Sequence, residues 1–379
     1  MDYIELHKQF KEHALFGRYI TLKEMEPLLQ KYSCEIIGRS VLDKPIYQYT
    51  FGTGKIRILM WSQMHGNEST TTKALFDFLH FLHSNELLAK NLWQNFTFCI
   101  LPMVNPDGAE LYTRENANKV DLNRDAVDLS QPESKLLRSA FDNFQPDFCF
   151  NLHDQRTIFG AGDTGHVATV SFLAPSFDER RTINNTRSKA MNVIVAMHEA
   201  LQNYIPNQVG RFDDSFNLNC TGDRFTSLQV PTILFEAGHY QDDYYREYTR
   251  KMIFIALISG LCHIYENDVV DNKNELYLNI PQNKVCFYDF IYKNVKINYD
   301  DKEIITNFAA QYKEELVDGA IVFNAYIADI GTLKGFYAHY QYNAHKMKYS
   351  DDSNNIPNIN KKATFYLENT IKFVNGVKK

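Results

Sequence analysis

Two histidines and two glutamates stand in this chain where they could do hydrolytic chemistry together. His65 and Glu68 lie three apart in Met64-His65-Gly66-Asn67-Glu68, after the apolar run Ile56-Arg57-Ile58-Leu59-Met60-Trp61 and before a helical pattern from Ser69 to about His83. At a strand-to-helix corner this spacing turns both side chains toward one point, and neutral imidazole with carboxylate is a set that Zn²⁺ accepts. Alone the pair is a weak signal. His153 adds to it by ending a strand-like run in Asn151-Leu152-His153-Asp154, at the carboxyl edge where open α/β sheets build their sites. It can supply a third ligand and leave a fourth position open for water; by itself it reads more readily as a core or helix-entry histidine, and the pairing with His65 and Glu68 reverses that balance. Glu236 ends the apolar run Thr232-Ile233-Leu234-Phe235-Glu236. Carboxylates are rarely buried unpaired. A base beside a metal-activated water accounts for this one; a salt-bridged strand end is the plainer alternative.

A loop-like stretch after Asn105-Pro106-Asp107-Gly108 carries Arg114, Asp121, Asn123 and Arg124. Its two arginines and asparagine offer donors, one set for a substrate carboxylate and the other for an oxyanion forming at a scissile carbonyl. Asp121 can hold a ligand histidine by its second nitrogen. Each of these residues, taken singly, also reads as surface charge. Gly222-Asp223-Arg224-Phe225, upstream of Glu236, reads as the lining of a side-chain pocket or as an ordinary turn.

The elements that must position these groups follow from pattern. The chain has 379 residues, 44% hydrophobic and 23% charged, enough for two domains or one large one with a sizeable core. Thr21-Leu22-Lys23-Glu24 fits a capping box opening a helix to about Tyr32. Ser33–Ile37 and Pro45–Phe51 read as a hairpin. Strands are then expected over 96–101, 147–152, 167–173 and 230–235, alternating with helices over 132–144, 182–204 and 240–266. That alternation argues for an α/β layer fold. Composition turns to Asp, Asn and Lys over 267–274, which reads as a linker. Strand patterns follow over 275–280, 284–297, 303–312 and 320–326, to about Tyr342. The polar stretch 350–362 and the end beyond it read as an appendage. The expected division is a catalytic domain over 1–266 and a small β-rich accessory domain over 275–379.

Net charge is -6 with no basic block, which argues against a nucleic-acid partner. The first residues lack the pattern of a secretion signal. The longest apolar run, Met252 to Leu261, is too short to span a bilayer, so no membrane partner is expected. The six cysteines are scattered without a Cys-x-x-Cys pair. They read as reduced thiols of a cytoplasmic protein.

With these residues in view, the chain resembles the zinc carboxypeptidases of the M14 (carboxypeptidase A-like) family from about Arg18 to Glu266. The resemblance is carried by Ile37-Gly38-Arg39-Ser40-Val41, Lys44-Pro45-Ile46, the His65/Glu68 pair, Asn105-Pro106-Asp107-Gly108, Asp121-Leu122-Asn123-Arg124, His153 and Glu236. It implies a mixed, mostly eight-stranded sheet flanked by helices, and one Zn²⁺ per chain held by His65, Glu68 and His153. It further implies Glu236 as general base and later acid, and Arg114 as the group that polarises the carbonyl. Asn123 and Arg124 would clamp the substrate's C-terminal carboxylate, and Asp121 would hold the first histidine.

The chain departs from the family in places. The family's mobile tyrosine has no counterpart: from Ile205 to His239 there is none, and Phe212 and Phe216 lie nearest its place. The family's Asp-Trp is here Asp223-Arg224-Phe225, with Asp223 expected at the substrate. Arg156 adds a cation in His153-Asp154-Gln155-Arg156; it favours an acidic substrate or pairs with Asp154, and the sequence does not choose.

The leading reading is zinc-dependent release of a C-terminal amino acid from a peptide. An N-acyl amino acid amidohydrolase of the aspartoacylase or succinylglutamate desuccinylase type shares the His-Gly-Asn-Glu corner and an Asn-Arg pair. Asn105-Pro106-Asp107-Gly108 and the Gly-Arg-Ser hairpin favour the peptidase. A zinc-free binding module is the third reading. The substrate is thus a peptide or an acylated amino acid; oligomeric state is not legible.

Overall fold

The computed structural model describes residues 2–267, 273–352 and 354–379. The chain divides into two compact units. One comprises the residues up to Gln155 with 168–283, the other 156–167 with 284–379.

The first unit is built on an eight-stranded mixed sheet. Its strands lie in the order Glu35–Arg39, Pro45–Gly52, Phe96–Leu101, Ile56–Ser62, Phe148–Asp154, Thr232–Ala237, Val170–Leu173 and Val209–Arg211. The strands Phe96–Leu101, Ile56–Ser62, Phe148–Asp154 and Thr232–Ala237 run parallel. They are apolar on both faces because helices cover both. Alternation sorts their side chains. Ile58, Met60, Phe150, Leu152, Ile233 and Phe235 join the core made with the helices Thr70–Leu82, Asn185–Gln202 and Glu247–Glu266. Leu59, Trp61 and Cys149 point the other way, into a smaller core with Leu137, Ala140, Phe141 and Phe225. The expected layer fold is therefore present. The capping box forms too: Thr21 Oγ1 accepts from Lys23 N and Glu24 reaches back to Thr21 N at 2.9 Å.

Residues 274–278 form a helix where a strand was expected. The reason is spacing: Tyr277 and Ile280 are buried while Leu276 and Leu278 are exposed, an i, i+3 pattern that suits a helical turn and not a half-buried strand. The linker expected over 267–274 falls largely on residues 268–272, outside the described residues. No described helix is long and apolar enough to cross a membrane.

The second unit pairs Ala320–Gly331, Ile304–Val317, Phe287–Ile297 and Tyr337–Asn343 in one sheet. The end of the chain is not an appendage. Tyr349–Ser350, Phe365–Leu367, Ile371–Val374 and Val377–Lys378 form a second four-stranded sheet. Phe365, Leu367 and Phe373 enter one core with Phe290, Tyr292 and Phe308. The alternation Phe365-x-Leu367 buries one face, and the Phe365 and Phe373 rings stack at 4.7 Å. Ser353, within the polar stretch 350–362, lies outside the described residues. Segment 156–167 is held in this unit by Cys286 N and Phe287 N, which both donate to Ile158 O.

Candidate active site

The strands Ile56–Ser62, Phe148–Asp154 and Thr232–Ala237 end side by side, and the chemistry sits at their carboxyl ends. His65 follows the first through a tight corner in which Gln63 takes a left-handed conformation, φ +47°. Gly66 is required there, since a Cβ on it would come within 1.9 Å of the Gly108 backbone. Asn105 fixes the same approach: its Oδ1 accepts from Gly108 N at 2.9 Å and its Nδ2 donates to Met64 O at 3.2 Å. Asp107 accepts from Ser40 Oγ at 2.9 Å and Leu42 N at 3.0 Å, which ties the Gly-Arg-Ser hairpin to this corner. The strand carrying His153 is joined to the helix after Glu68 by Asp154, whose carboxylate accepts from Thr70 N at 2.8 Å and Thr71 N at 3.1 Å. An anion at a helix N-terminus satisfies donors that have no partner within the helix.

His65, Glu68 and His153 converge so that their ligand atoms all lie within 4.8 Å of one another. Glu68 Oε1 is 2.8 Å from His65 Nδ1, Oε2 is 2.8 Å from His153 Nδ1, and the two Nδ1 atoms are 3.1 Å apart. His65 Nε2 lies 3.0 Å from Asp121 Oδ1. An ionised carboxylate only accepts, so with a metal at Nδ1 the proton of the neutral ring would sit on Nε2 and be donated to Asp121. Two imidazole nitrogens and a carboxylate, buried and facing one point, are a donor set that fits Zn²⁺. The electrostatics agree. Burial pushes the Glu68 carboxyl up, but His65 and His153 outweigh it and hold the group far below the usual range. Burial also lifts Asp121, and His65, Arg114 and the Asn123 N–H pull it well down. His65 is raised because Glu68 and Asp121 overcome its burial, whereas burial prevails at His153 and lowers it.

Glu236 is the direct neighbour of His153 across the parallel pair, with Ser171 opposite it on the other side. Paired residues share a sheet face, so the base candidate and the second histidine project together. Burial, then repulsion from Glu68 and Asp154, pushes Glu236 well above the usual carboxylate range, against the pull of Arg114 and Arg246. Arg246 braces the backbone beside both, donating to Ala237 O at 2.6 Å and Gln155 O at 2.9 Å. Arg114 stands at the rim, donating from Nε to Asp121 at 3.0 Å and approaching Glu68 Oε1 at 3.4 Å from Nη1. Asp121 opens the turn Leu122–Arg124 and accepts from Asn123 N at 2.9 Å. One residue thus orients His65, Arg114 and the start of the Asn123-Arg124 pair.

Two expected site residues are placed differently. Asp223 is buried, and its oxygens accept from Ser176 N at 3.0 Å and Asn217 N at 2.7 Å. Burial lifts it to about 6 despite those donors. Its carboxylate is spent on backbone, where it ties two loops. Arg156 is exposed and opens the 156–167 segment of the second unit; Asp154, its suggested partner, is engaged at Thr70 and Thr71. Two contacts of the site carry no sequence signal. Thr221 N donates to Asn123 Oδ1 at 3.0 Å, and Cys220 Sγ lies 3.0 Å from Arg124 Nη1.

Residues 21–159 match the family model described as zinc carboxypeptidase, Peptidase_M14. The chain is 27% identical to carboxypeptidase 2 of Trichophyton tonsurans over 117 residues, 31% of this chain and 21% of that protein. It spans about a fifth of the length of the curated relatives it matches first. Their names do not favour the N-acyl amino acid branch. Two solved structures share the fold. A metallo-carboxypeptidase from Burkholderia cenocepacia superposes with a TM-score of 0.51 at 19% identity, over 65% of this chain and 68% of that one. A metallo-carboxypeptidase from Pseudomonas aeruginosa, in complex with (2-guanidinoethylmercapto)succinic acid, gives 0.53 at 14%, over 64% and 69%. Residues 21–159, which supply His65, Glu68, Arg114, Asn123, Arg124 and His153, are the part of the chain that matches the zinc carboxypeptidase family model.

Proposed function

We propose that the first unit is a zinc carboxypeptidase that releases the C-terminal residue of a peptide. The observation that carries this reading is the meeting of His65, Glu68 and His153 at one point, beside Glu236 and within reach of Arg114. Zinc held there would polarise the scissile carbonyl and make a water acidic enough to attack near neutral pH. Glu236 takes that water's proton and later returns it to the leaving amine. Its raised affinity for a proton suits both halves of the task. Arg114 donates to the carbonyl oxygen as negative charge gathers on it. Asn123 and Arg124 receive the free carboxylate, which makes the cleavage exopeptidic. Asp223 serves this arrangement by shaping loops. A cytoplasmic location is part of the proposal, supported by six thiols free of disulfides.

A panel of peptides tests this, each offered with a free and an amidated C-terminus, to zinc-loaded protein and to protein in chelator. Release of the terminal amino acid from the free acids, abolished by chelator and at least about tenfold slower for the amides, is expected from a charge-assisted clamp. Equal cleavage of acids and amides, or cleavage of N-acyl amino acids alone, contradicts it.

A further inference from the structure

Cys220 has no part in the mechanism above. It is half-buried and stands immediately before the Thr221–Ser227 helix. Its sulfur meets Arg124 Nη1 at 3.0 Å, and that same nitrogen donates to Asn123 O at 2.7 Å. The next residue, Thr221, gives its N–H to Asn123 Oδ1 at 3.0 Å. One turn therefore touches both residues of the carboxylate clamp. The turn is itself fixed. Cys220 N donates to Asn217 O at 2.8 Å, and Asp223 accepts from Asn217 N and Ser176 N. Burial lifts the thiol to about 11 against the pull of Arg124, so the contact is made by a neutral sulfur.

We propose that Cys220 is a positioning residue: by accepting one N–H of Arg124 it sets the guanidinium to meet the C-terminal carboxylate of the substrate. This rests on the carboxypeptidase reading. With Nη1 committed twice, the Nε and Nη2 edge is the fork that a carboxylate engages through two parallel bonds. The choice of a thiol has a physical reason. An aspartate or glutamate at 220 would hold Arg124 more strongly, but would cancel its charge and repel the incoming anion. An uncharged acceptor orients the cation and leaves its charge for the substrate.

Zinc-loaded full-length wild type, Cys220→Ala and Cys220→Ser are compared on one cleavable peptide. Loss of the acceptor in Cys220→Ala should raise KM about tenfold with kcat within about twofold, the size of one hydrogen bond to a charged group. Cys220→Ser keeps an acceptor and should stay within about twofold of wild-type KM. A second readout uses the Glu236→Gln background, where bound peptide is not consumed. A free-acid peptide should slow methanethiosulfonate modification of Cys220 about tenfold, as expected for a site closed by a charge-assisted clamp; the amidated peptide should not. Cys34 and Cys262, also half-buried, serve as internal references by peptide mass mapping. A Cys220→Ala enzyme with wild-type KM, together with equal protection by acid and amide, overturns the inference while leaving the carboxypeptidase reading intact. A wild type that cleaves no peptide, with no protection by the acid, rejects that reading and this inference with it.

Discussion

Glu68 and Glu236 are the same residue type in one site, driven apart by their surroundings. Glu68 faces two imidazoles and stays ionised, as a ligand must. Glu236, half-buried beside Glu68 and Asp154, holds a proton readily, as an acid-base group must. Replacing Glu236 by Gln keeps shape and removes the base. The variant should bind zinc as the wild type does and lose turnover by roughly 100-fold or more, the low end of what general acid-base catalysis supplies. A Glu236→Gln protein that keeps most of its kcat removes Glu236 from the role. At this scale the ligand set was legible, and Glu236 stood out as a base candidate, because imidazole and carboxylate groups seldom end apolar strands without a task to perform there. Asp223 was not, since a buried carboxylate that ties loops looks the same in sequence as one that meets substrate. Cys220 was invisible because its contact with Arg124 joins positions 96 residues apart.

Among the elements, the short motifs turn out to be one structure. Gly66 is glycine because the Gly108 backbone presses against it, and Gly108 is held by Asn105. Asp107 anchors Ser40, so the hairpin, the histidine corner and the helix Pro106–Leu111 lock together. These motifs position the ligands. Pattern reading found the parallel strands because apolar runs buried on two faces stand out. It missed the helix Asn274–Leu278 because Leu276, Tyr277, Leu278 and Ile280 are all apolar, so which of them is buried does not show in the sequence. It missed the last strands because polar turns separate them: only the burial of Phe365 and Phe373 against Phe290 and Tyr292 shows that they are core.

For the molecule as a whole, the first unit is fastened by buried charge. Asp77 accepts from His7 at 2.9 Å, Glu12 N at 2.7 Å and Arg250, joining the N-terminal helix Tyr3–Phe10 to the helices Thr70–Leu82 and Glu247–Glu266. Glu247 lies alongside, paired with Lys11 at 2.8 Å, Lys73 at 2.5 Å and Arg250 at 3.1 Å. Burial pushes Glu247 up, but these cations hold it down at about 2 instead of 4.5. A depressed acid stabilises the fold above its unfolded value and loses that contribution as pH falls toward the folded value. Between pH 4.5 and 2 the wild type should therefore lose about 3 kcal/mol of stability that a Glu247→Gln variant does not lose, at about 1.4 kcal/mol for each tenfold change in proton affinity. Urea unfolding of both proteins across that range checks it. Parallel acid limbs would show that Glu247 is not the group responsible.

The measurement that bears most directly on the whole account is the metal content of the full chain, purified without chelator and analysed beside His153→Ala. The geometry predicts close to one equivalent of zinc in the wild type. The variant, with one nitrogen of the His65–Glu68–His153 set removed, should retain less than about a tenth under the same dialysis, consistent with an affinity set by ligand number. A wild type without zinc, or a variant that holds as much as the wild type, would contradict the site on which the rest is built.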